Sequence, residues 1–446
     1  MMRTSTIKDL PFFEGKIENA TRGLTKYYYR NLTKLSQDNA LVIASYINST
    51  KFETNMSDHH RMSIIKVLAK LSKFVYNKPF NDMIREDVLS FLDCFRKSES
   101  VDPLHKWIGT YNLYNILLTQ FFKWLYYPNL PSKSRPKPPI VENIGRLKRK
   151  EQSIYKPTDL WSEEDDKLFL KYCPSKRINC YHMVSRDTSC RPHEILKLKI
   201  RDIMFKTSGN YQYAEVLVNG KTGSRHIPLI NSIPHVKDYL DHEHPQPGNP
   251  NAPFISGVGK SLGRSIGIIP LGLIYSKYKR EYFPKLLENP NVTPEDKQNI
   301  HELLKKPWNP YIRRHTGLTE KSLKIPGLIN QYAGWVHGST MSQKYFHYFG
   351  NESSNGLLEA YGIIPKEKQQ SNALKPKQCP NCNEPNKPDS KFCAKCRMVL
   401  TYDAYNETIE QKEESDKQIQ ALMKKHEEME QKFQMILSKI DVSRLS

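Results

Sequence analysis

One stretch of the chain, PNLPSKSRPKPPIVENIGRLKRK (128–150), cannot sit inside a helix or a sheet. Its five prolines, Pro128, Pro131, Pro136, Pro138 and Pro139, fix φ and lack an amide donor. Its seven cations, Lys133, Arg135, Lys137, Arg146, Lys148, Arg149 and Lys150, resist burial. The 446 residues must therefore fold as separate bodies on either side of it. At roughly 150 residues per domain the length suggests about three. The expectation for 128–154 is an extended basic interdomain linker; a merely solvated spacer is the other reading.

Before the linker, residues 18–127 read as a bundle of four or five helices. HRMSIIKVLAKLSKFVYN (60–77) and KWIGTYNLYNILLTQFFKWLYY (106–127) repeat apolar residues at spacings of three and four. Residues 1–17 lack that periodicity and read as a tail. After the linker, 155–365 reads as a mixed α+β domain, mostly helix with a small sheet. Ser162 with Asp165 marks a helix start. YQYAEVLVNGKTGSRHIPLI (211–230) alternates on both sides of Asn219–Gly223, a hairpin pattern. From 270 to 350 the pattern is helical again. Residues 366–378 form a polar linker. In 406–443, Ile419, Leu422, His426, Met429, Phe433, Ile436 and Ile440 keep a heptad spacing. That predicts a coiled-coil helix, or an amphipathic helix packed on its own chain.

Lys and Arg number 68 against 47 Asp and Glu, a net charge of +21. Such an excess points to a polyanion, nucleic acid ahead of a membrane surface, and the basic linker would follow a polyphosphate backbone. No run of 18 apolar residues exists, so a membrane span is not expected. The start, MMRTSTIKDLPFFEGK, lacks the apolar core of a secretory signal. Cys94, Cys173, Cys180 and Cys190 are scattered, as small buried hydrophobes are, which suits a reducing, cytoplasmic setting. The other four cysteines, Cys379, Cys382, Cys393 and Cys396, form Cys-x2-Cys-x10-Cys-x2-Cys. This spacing fits a closed tetrahedral zinc ribbon over 379–402, with one structural zinc per chain.

Three short segments carry charged or nucleophilic residues. In Thr188–Leu196, Ser189 can cap a helix, Pro192 suits its first turn, and Arg191 and Glu194 sit at its start, where anions are favoured. A basic cluster runs Tyr311-Ile312-Arg313-Arg314-His315. A third segment starts at Gly334-Trp335 and reaches Tyr345-Phe346-His347. Singly, each has an ordinary reading as an ion pair or as core packing.

Their order is similar to that of the tyrosine recombinase (phage integrase) family: Arg191-x-x-Glu194, a hairpin lysine Lys221 in Gly-Lys-Thr-Gly, Arg314-His315, Gly334-Trp335, then Tyr345. The wording Gly-Trp-x-x-Gly-Ser-x-Met-x-x-x-Tyr-x-His resembles the archaeal integrases, which belong to mobile elements. The resemblance covers the helical N-terminal part, as a SAM-like core-binding domain, and residues 155–350, as the catalytic domain. It implies a site-specific DNA recombinase that cleaves and rejoins duplex DNA through a 3′-phosphotyrosyl bond. Arg191 and Arg314 would grip the scissile phosphate, and Lys221 would protonate the leaving 5′-oxygen. His315 and Trp335 would complete the pocket, Glu194 would orient it, and Tyr345 would attack, with Tyr348 the fallback nucleophile. Tyr311 stands where the family usually has histidine, which leaves the general base open. The resemblance further implies a tetramer on paired sites, a nucleoid location and no catalytic metal. A type IB topoisomerase and a non-catalytic DNA-binding protein of the same fold are the alternatives.

The chemistry needs these residue types in any case. Attack on a phosphodiester builds negative charge on oxygen, which fixed, always-charged guanidinium forks match. A phenol is a poor nucleophile at its usual pKa and needs help with its proton. The leaving alkoxide needs an acid.

Overall fold

The computed structural model describes residues 10–149, 155, 157–209, 211–220, 223–336, 338–342, 345, 361, 363 and 373–439. The chain divides into two units, Met1–Ile154 and Tyr155–Ser446.

The first unit is all helical: α1 (Leu10–Thr21), α2 (Lys26–Thr33), α3 (Gln37–Glu53), α4 (Asp58–Phe74), α5 (Arg85–Asp93) and α6 (Trp107–Tyr126). Ser36 and Ser57 cap α3 and α4 by accepting from the amides of Asn39 and His60. Ile43, Ile47, Leu68, Phe121 and Phe122 form the centre of its core. The tail expected over 1–17 is corrected from Leu10 onward, because α1 begins there and sinks Ile17 into the core.

The proline-rich stretch departs from the extended linker expected of it. Ile140, Val141 and Ile144 are buried with the helices. Asn115 Nδ2 donates to the Ile144 and Gly145 carbonyls, and Asn112 exchanges two hydrogen bonds with the Leu147 backbone, each 2.9 Å. Three apolar side chains and two asparagines thus fasten a segment whose prolines only exclude regular structure. Arg135 is not a surface cation. It is 6% exposed, chelates the Glu53 carboxylate with both terminal nitrogens, and donates to the Tyr127 and Pro128 carbonyls. Lys133, Lys137, Arg146 and Lys148 are exposed, Arg149 is half-buried, and Lys150 lies outside the described residues.

The second unit opens with α7 (Glu163–Tyr172), started by a reciprocal Ser162–Asp165 capping box. The central helix α8 (Lys176–Thr188) is buried from Arg177 onward, although half its residues are polar. Its polarity is answered at the fully buried Asp166, whose carboxylate takes His182 Nε2 at 2.8 Å together with Arg186 and Arg313. Next come the short α9 (Pro192–Ile195) and three antiparallel strands in the order β1 (Ile203–Ser208), β2 (Tyr211–Gly220), β3 (Gly223–Leu229). α10 (Ile233–His242), α11 (Ile268–Lys277), a π-helical turn over Tyr278–Tyr282, α12 (Phe283–Leu286) and α13 (Pro294–Lys305) follow. α14 (Ile312–Lys324) crosses α8 closely, with Gly317 at the contact: a Cβ there would lie 2.3 Å from Ser189 Oγ and 2.8 Å from the Arg186 carbonyl. The described core helices end with α15 (Ile329–Ala333).

The cysteine-bearing segment carries β4 (Lys377–Gln378) and β5 (Pro385–Asn386) and packs on α10. Glu384 pairs with Lys237, and Lys387 meets Asp238 at 2.5 Å. The last helix, α16 (Tyr402–Lys439), leaves Ile419, Leu422, Met429 and Phe433 at least half exposed, with no cover on that face among the described residues. No described helix is long and apolar enough to cross a membrane.

Candidate active site

The site is assembled where α8 ends. Ser189, with φ +50, turns the chain in the left-handed region and sends Cys190 and Arg191 across the top of the unit. Ser189 thus closes α8, and it is Arg191 that occupies the N-cap of α9, with Pro192 following. Glu194 accepts both the Arg191 amide and Arg191 Nη1 at 3.0 Å. Arg191 keeps 29% of its side chain exposed, in an open cleft of about 1180 Å³ that Arg225, Tyr332, Trp335 and Ser339 also line.

α14 delivers the second cation. Arg313 and Arg314 are adjacent but point to opposite duties. Arg313 is fully buried on Asp166 and over the Trp161 ring, so it belongs to the core. Arg314 donates Nη1 to the Ser189 carbonyl at 2.7 Å and Nη2 to the Ala333 carbonyl at 3.2 Å, with its guanidinium 5.7 Å from the Trp335 ring centre. It is thereby tied to the turn before Arg191 and to the end of α15.

Gly334 ends α15 with φ +66, and Trp335 follows, 8% exposed. The Trp335 ring stacks on Tyr345 at 5.4 Å, and the His315 ring lies 5.6 Å from Tyr345 on a similar tilt. His315 also meets Tyr155 at 4.6 Å. Burial, then the Arg314 cation, push the His315 ring down to about 4, so it is neutral at pH 7. Burial raises the Tyr345 phenol above its usual value, while Arg314 and Arg191 pull the other way. Glu194 stays ionised: burial opposes charge, but the Arg225 hydrogen bond, the Arg191 amide and both cations outweigh it.

Among the described residues, three buried nitrogens in this region find no hydrogen-bond partner: Trp335 Nε1, His315 Nδ1 and Arg225 Nη1. Native structures leave few such groups unanswered, and the Trp335 indole N–H, beside the Arg314 guanidinium, suits an anion.

The structure therefore brings together Arg191, Glu194, Arg314, His315, Trp335 and Tyr345. It does not bring in Tyr311, which is 39% exposed at the start of α14, with no described contact to Arg314, Trp335 or Tyr345. Lys221 lies outside the described residues, although the strands that carry it pair up to Gly220 and Gly223. His337, Phe346, His347 and Tyr348 lie outside them as well. Sequence reasoning missed Arg225 and Tyr155. The signal for Arg225 was its strand face: Arg225, Ile227 and Leu229 fall on one side of β3, a cation in line with two core residues.

The four cysteine sulfurs lie within 4.8 Å of one another, with Cys379–Cys396 at 3.5 Å and Cys382–Cys393 at 3.6 Å. A tetrahedral zinc with Zn–S near 2.3 Å sets sulfurs about 3.8 Å apart, so the donor set fits that ion.

No family profile and no curated protein matches the chain. Among solved structures it is similar to a lambda integrase dimer bound to a COC' core site, at 11% identity over 68% of this chain and 75% of that one, with a TM-score of 0.45. It is also similar to XerH site-specific recombinase bound to palindromic difH substrate in a post-cleavage complex, at 17% identity over 79% and 96%, TM-score 0.44. A third is the Tn1549 transposon integrase in complex with transposon right end DNA, at 13% identity over 72% and 99%, TM-score 0.48. Likenesses of this degree assign no role to any residue, so function is read from the side chains themselves.

Proposed function

We propose that this chain is a site-specific DNA recombinase of the tyrosine type. The observation that carries the reading is a convergence. Arg191, Arg314, His315, Trp335 and Tyr345 come from three distant stretches of sequence and meet around buried nitrogens that lack a partner among the described residues. Arg191 and Arg314 grip the non-bridging oxygens of a scissile phosphate, and Trp335 Nε1 supplies a further donor. The Tyr345 hydroxyl attacks phosphorus, the P–O5′ bond breaks, and a 3′-phosphotyrosyl ester forms. The phenol proton passes to His315, which is neutral with its ring centre 5.6 Å from that of Tyr345, the role left open by Tyr311. Lys221 gives a proton to the leaving 5′-oxygen. Religation to a new 5′-hydroxyl reverses each transfer.

Tyr345 lies beside Arg314 and His315 of its own chain, which supports cleavage in cis. Double-stranded DNA is the partner, held by the exposed cations Lys133, Lys137, Arg146 and Lys148, with Arg149 and Lys150 next to them in sequence. The uncovered apolar face of α16 favours an oligomer, a tetramer on paired sites, over a topoisomerase acting alone. The cysteines hold one structural zinc, which supplies cross-linking of the 379–396 loops and no step of the reaction. The setting is cytoplasmic, on the nucleoid. A DNA substrate nicked next to the cleavage site, which lets the short fragment bearing the freed 5′-hydroxyl diffuse away, tests the reading: the recombinase accumulates a covalent adduct, and a DNA-binding protein of the same fold forms none.

A further inference from the structure

We propose that Arg225 is a positioning residue that locks the β2–β3 hairpin onto the Arg191–Glu194 turn, so that the paired strand ends Gly220 and Gly223, which flank Lys221 in sequence, are held to the turn that bears the phosphate-gripping Arg191. The inference rests on the recombinase reading and deepens it. Arg225 stands opposite Val218 in the ladder, close to the Gly220–Gly223 end. Only 10% of its side chain is exposed. Its Nη2 donates to Glu194 Oε2 at 2.9 Å and to Cys190 Sγ at 3.3 Å, and its Nε to the Tyr332 carbonyl at 3.2 Å. One guanidinium thus joins β3, the turn before α9, and α15.

Two glycines leave room for it. A Cβ on Gly220 would lie 2.8 Å from Arg225 Nη1, and one on Gly334 would lie 2.6 Å from the same atom. The guanidinium therefore runs between the hairpin and the Gly334–Trp335 turn, with no space for a side chain on either. Stability alone does not call for this arrangement, since an apolar residue would suit the buried face of β3 at least as well. What a planar fork provides, and an apolar residue or a lysine does not, is fixed distances to acceptors on separate elements. Glu194 is the hinge of the arrangement, because one carboxylate holds Arg191 through Oε1 and Arg225 through Oε2.

The consequence is specific. If Arg225 holds the strand ends on either side of Lys221, losing it should hurt the step proposed for Lys221, protonation of the leaving oxygen. That step can be bypassed. In a substrate with sulfur in place of the bridging 5′-oxygen, the thiolate departs without an acid. Arg225→Gln and Arg225→Lys should bind duplex DNA within about threefold of wild type but cleave the ordinary substrate about 10- to 100-fold more slowly, the scale of a misplaced catalytic group. On the sulfur substrate the deficit should shrink to about threefold, as it should for Lys221→Ala. An equal deficit on both substrates, or wild-type cleavage of the ordinary one by Arg225→Lys, overturns the inference. Should Arg225→Gln fail to fold, Arg225→Lys keeps the charge against Glu194 but lacks the fork, and answers alone. A wild-type protein that yields no adduct with either substrate refutes the recombinase reading itself. A proper Lys221→Ala rescue without an Arg225 rescue refutes only this inference.

Discussion

Trp335 and Tyr345 stack with ring centres 5.4 Å apart and planes tilted by 30°. With His315 also against the phenol, Tyr345 is packed on two sides and its hydroxyl has little freedom. Held rings keep an attacking oxygen near its target, which is where much of an enzyme's advantage arises. Trp335→Ala should therefore slow cleavage about 10- to 100-fold while leaving duplex binding nearly unchanged. Single-turnover cleavage and a filter-binding titration separate the two.

Adjacent arginines on α14 should fail in different ways. Arg314→Ala should cut cleavage by about two orders of magnitude or more, since it removes charge stabilisation from a preorganised site, and cost less stability than its neighbour's loss, since it frees the Ser189 and Ala333 carbonyls but strands no buried charge. Arg313→Ala strips a partner from the fully buried Asp166 and should cost about 3–5 kcal/mol of stability. Denaturant unfolding and single-turnover cleavage of both variants check the contrast.

Acid should weaken the second unit well before its carboxylates titrate. Burial holds the His182 ring down at about 4 and the His235 ring at about 3. Unfolded, each would titrate near 6.5. Their folded values are depressed, so the unfolded chain binds more protons between those limits. Stability is complete above pH 6.5 and falls as pH drops toward 4. At pH 5 each of the two forfeits about 2 kcal/mol. Melting curves at pH 7.5 and 5 should show the drop, and His182→Asn should flatten it.

Elemental analysis should find one zinc per chain, and Cys379→Ser with Cys382→Ser should remove it. Because Glu384 and Lys387 of the same segment grip Lys237 and Asp238 on α10, the metal-free variant should also unfold at lower temperature. Brief chelation of folded protein should leave cleavage largely intact; loss restored by magnesium would contradict the proposed chemistry.

The proline-rich stretch makes a divided prediction. Arg135→Ala should destabilise the first unit, as it removes the cation from Glu53 and a donor from the Tyr127 and Pro128 carbonyls. Replacing Arg146, Lys148, Arg149 and Lys150 with alanine should spare the fold. It should lower the slope of log K against log salt by up to about 3.6, at about 0.9 per lost phosphate contact on duplex DNA, for target and random sequences alike. Salt titrations of binding check it.

What the sequence revealed, and what it hid, follows from where the information lies. The helical first unit, the hairpin and the cysteine cluster are written in local periodicity and spacing, and the structure has all three. The ordered motifs named six residues that do meet. Composition misread 128–150, because prolines and cations report local conformation and charge but not that Ile140, Val141 and Ile144 would find the core. Arg135 was lost the same way: its partner, Glu53, lies 82 positions earlier, and no local pattern connects them. Arg225 hid in a strand whose alternation marked it as inward-facing, but a buried cation gains meaning only once Glu194 and Tyr332 are beside it.

The central claim is that Tyr345 becomes covalently joined to DNA. The direct measurement is a denaturing gel of wild type and Tyr345→Phe, each incubated with duplex nicked beside the cleavage site, with the adduct mapped by peptide mass spectrometry. Wild type should give an adduct on the peptide containing Tyr345, and Tyr345→Phe should bind the same DNA and give none. An adduct at wild-type level in Tyr345→Phe, or one mapped to Tyr348, would contradict the account.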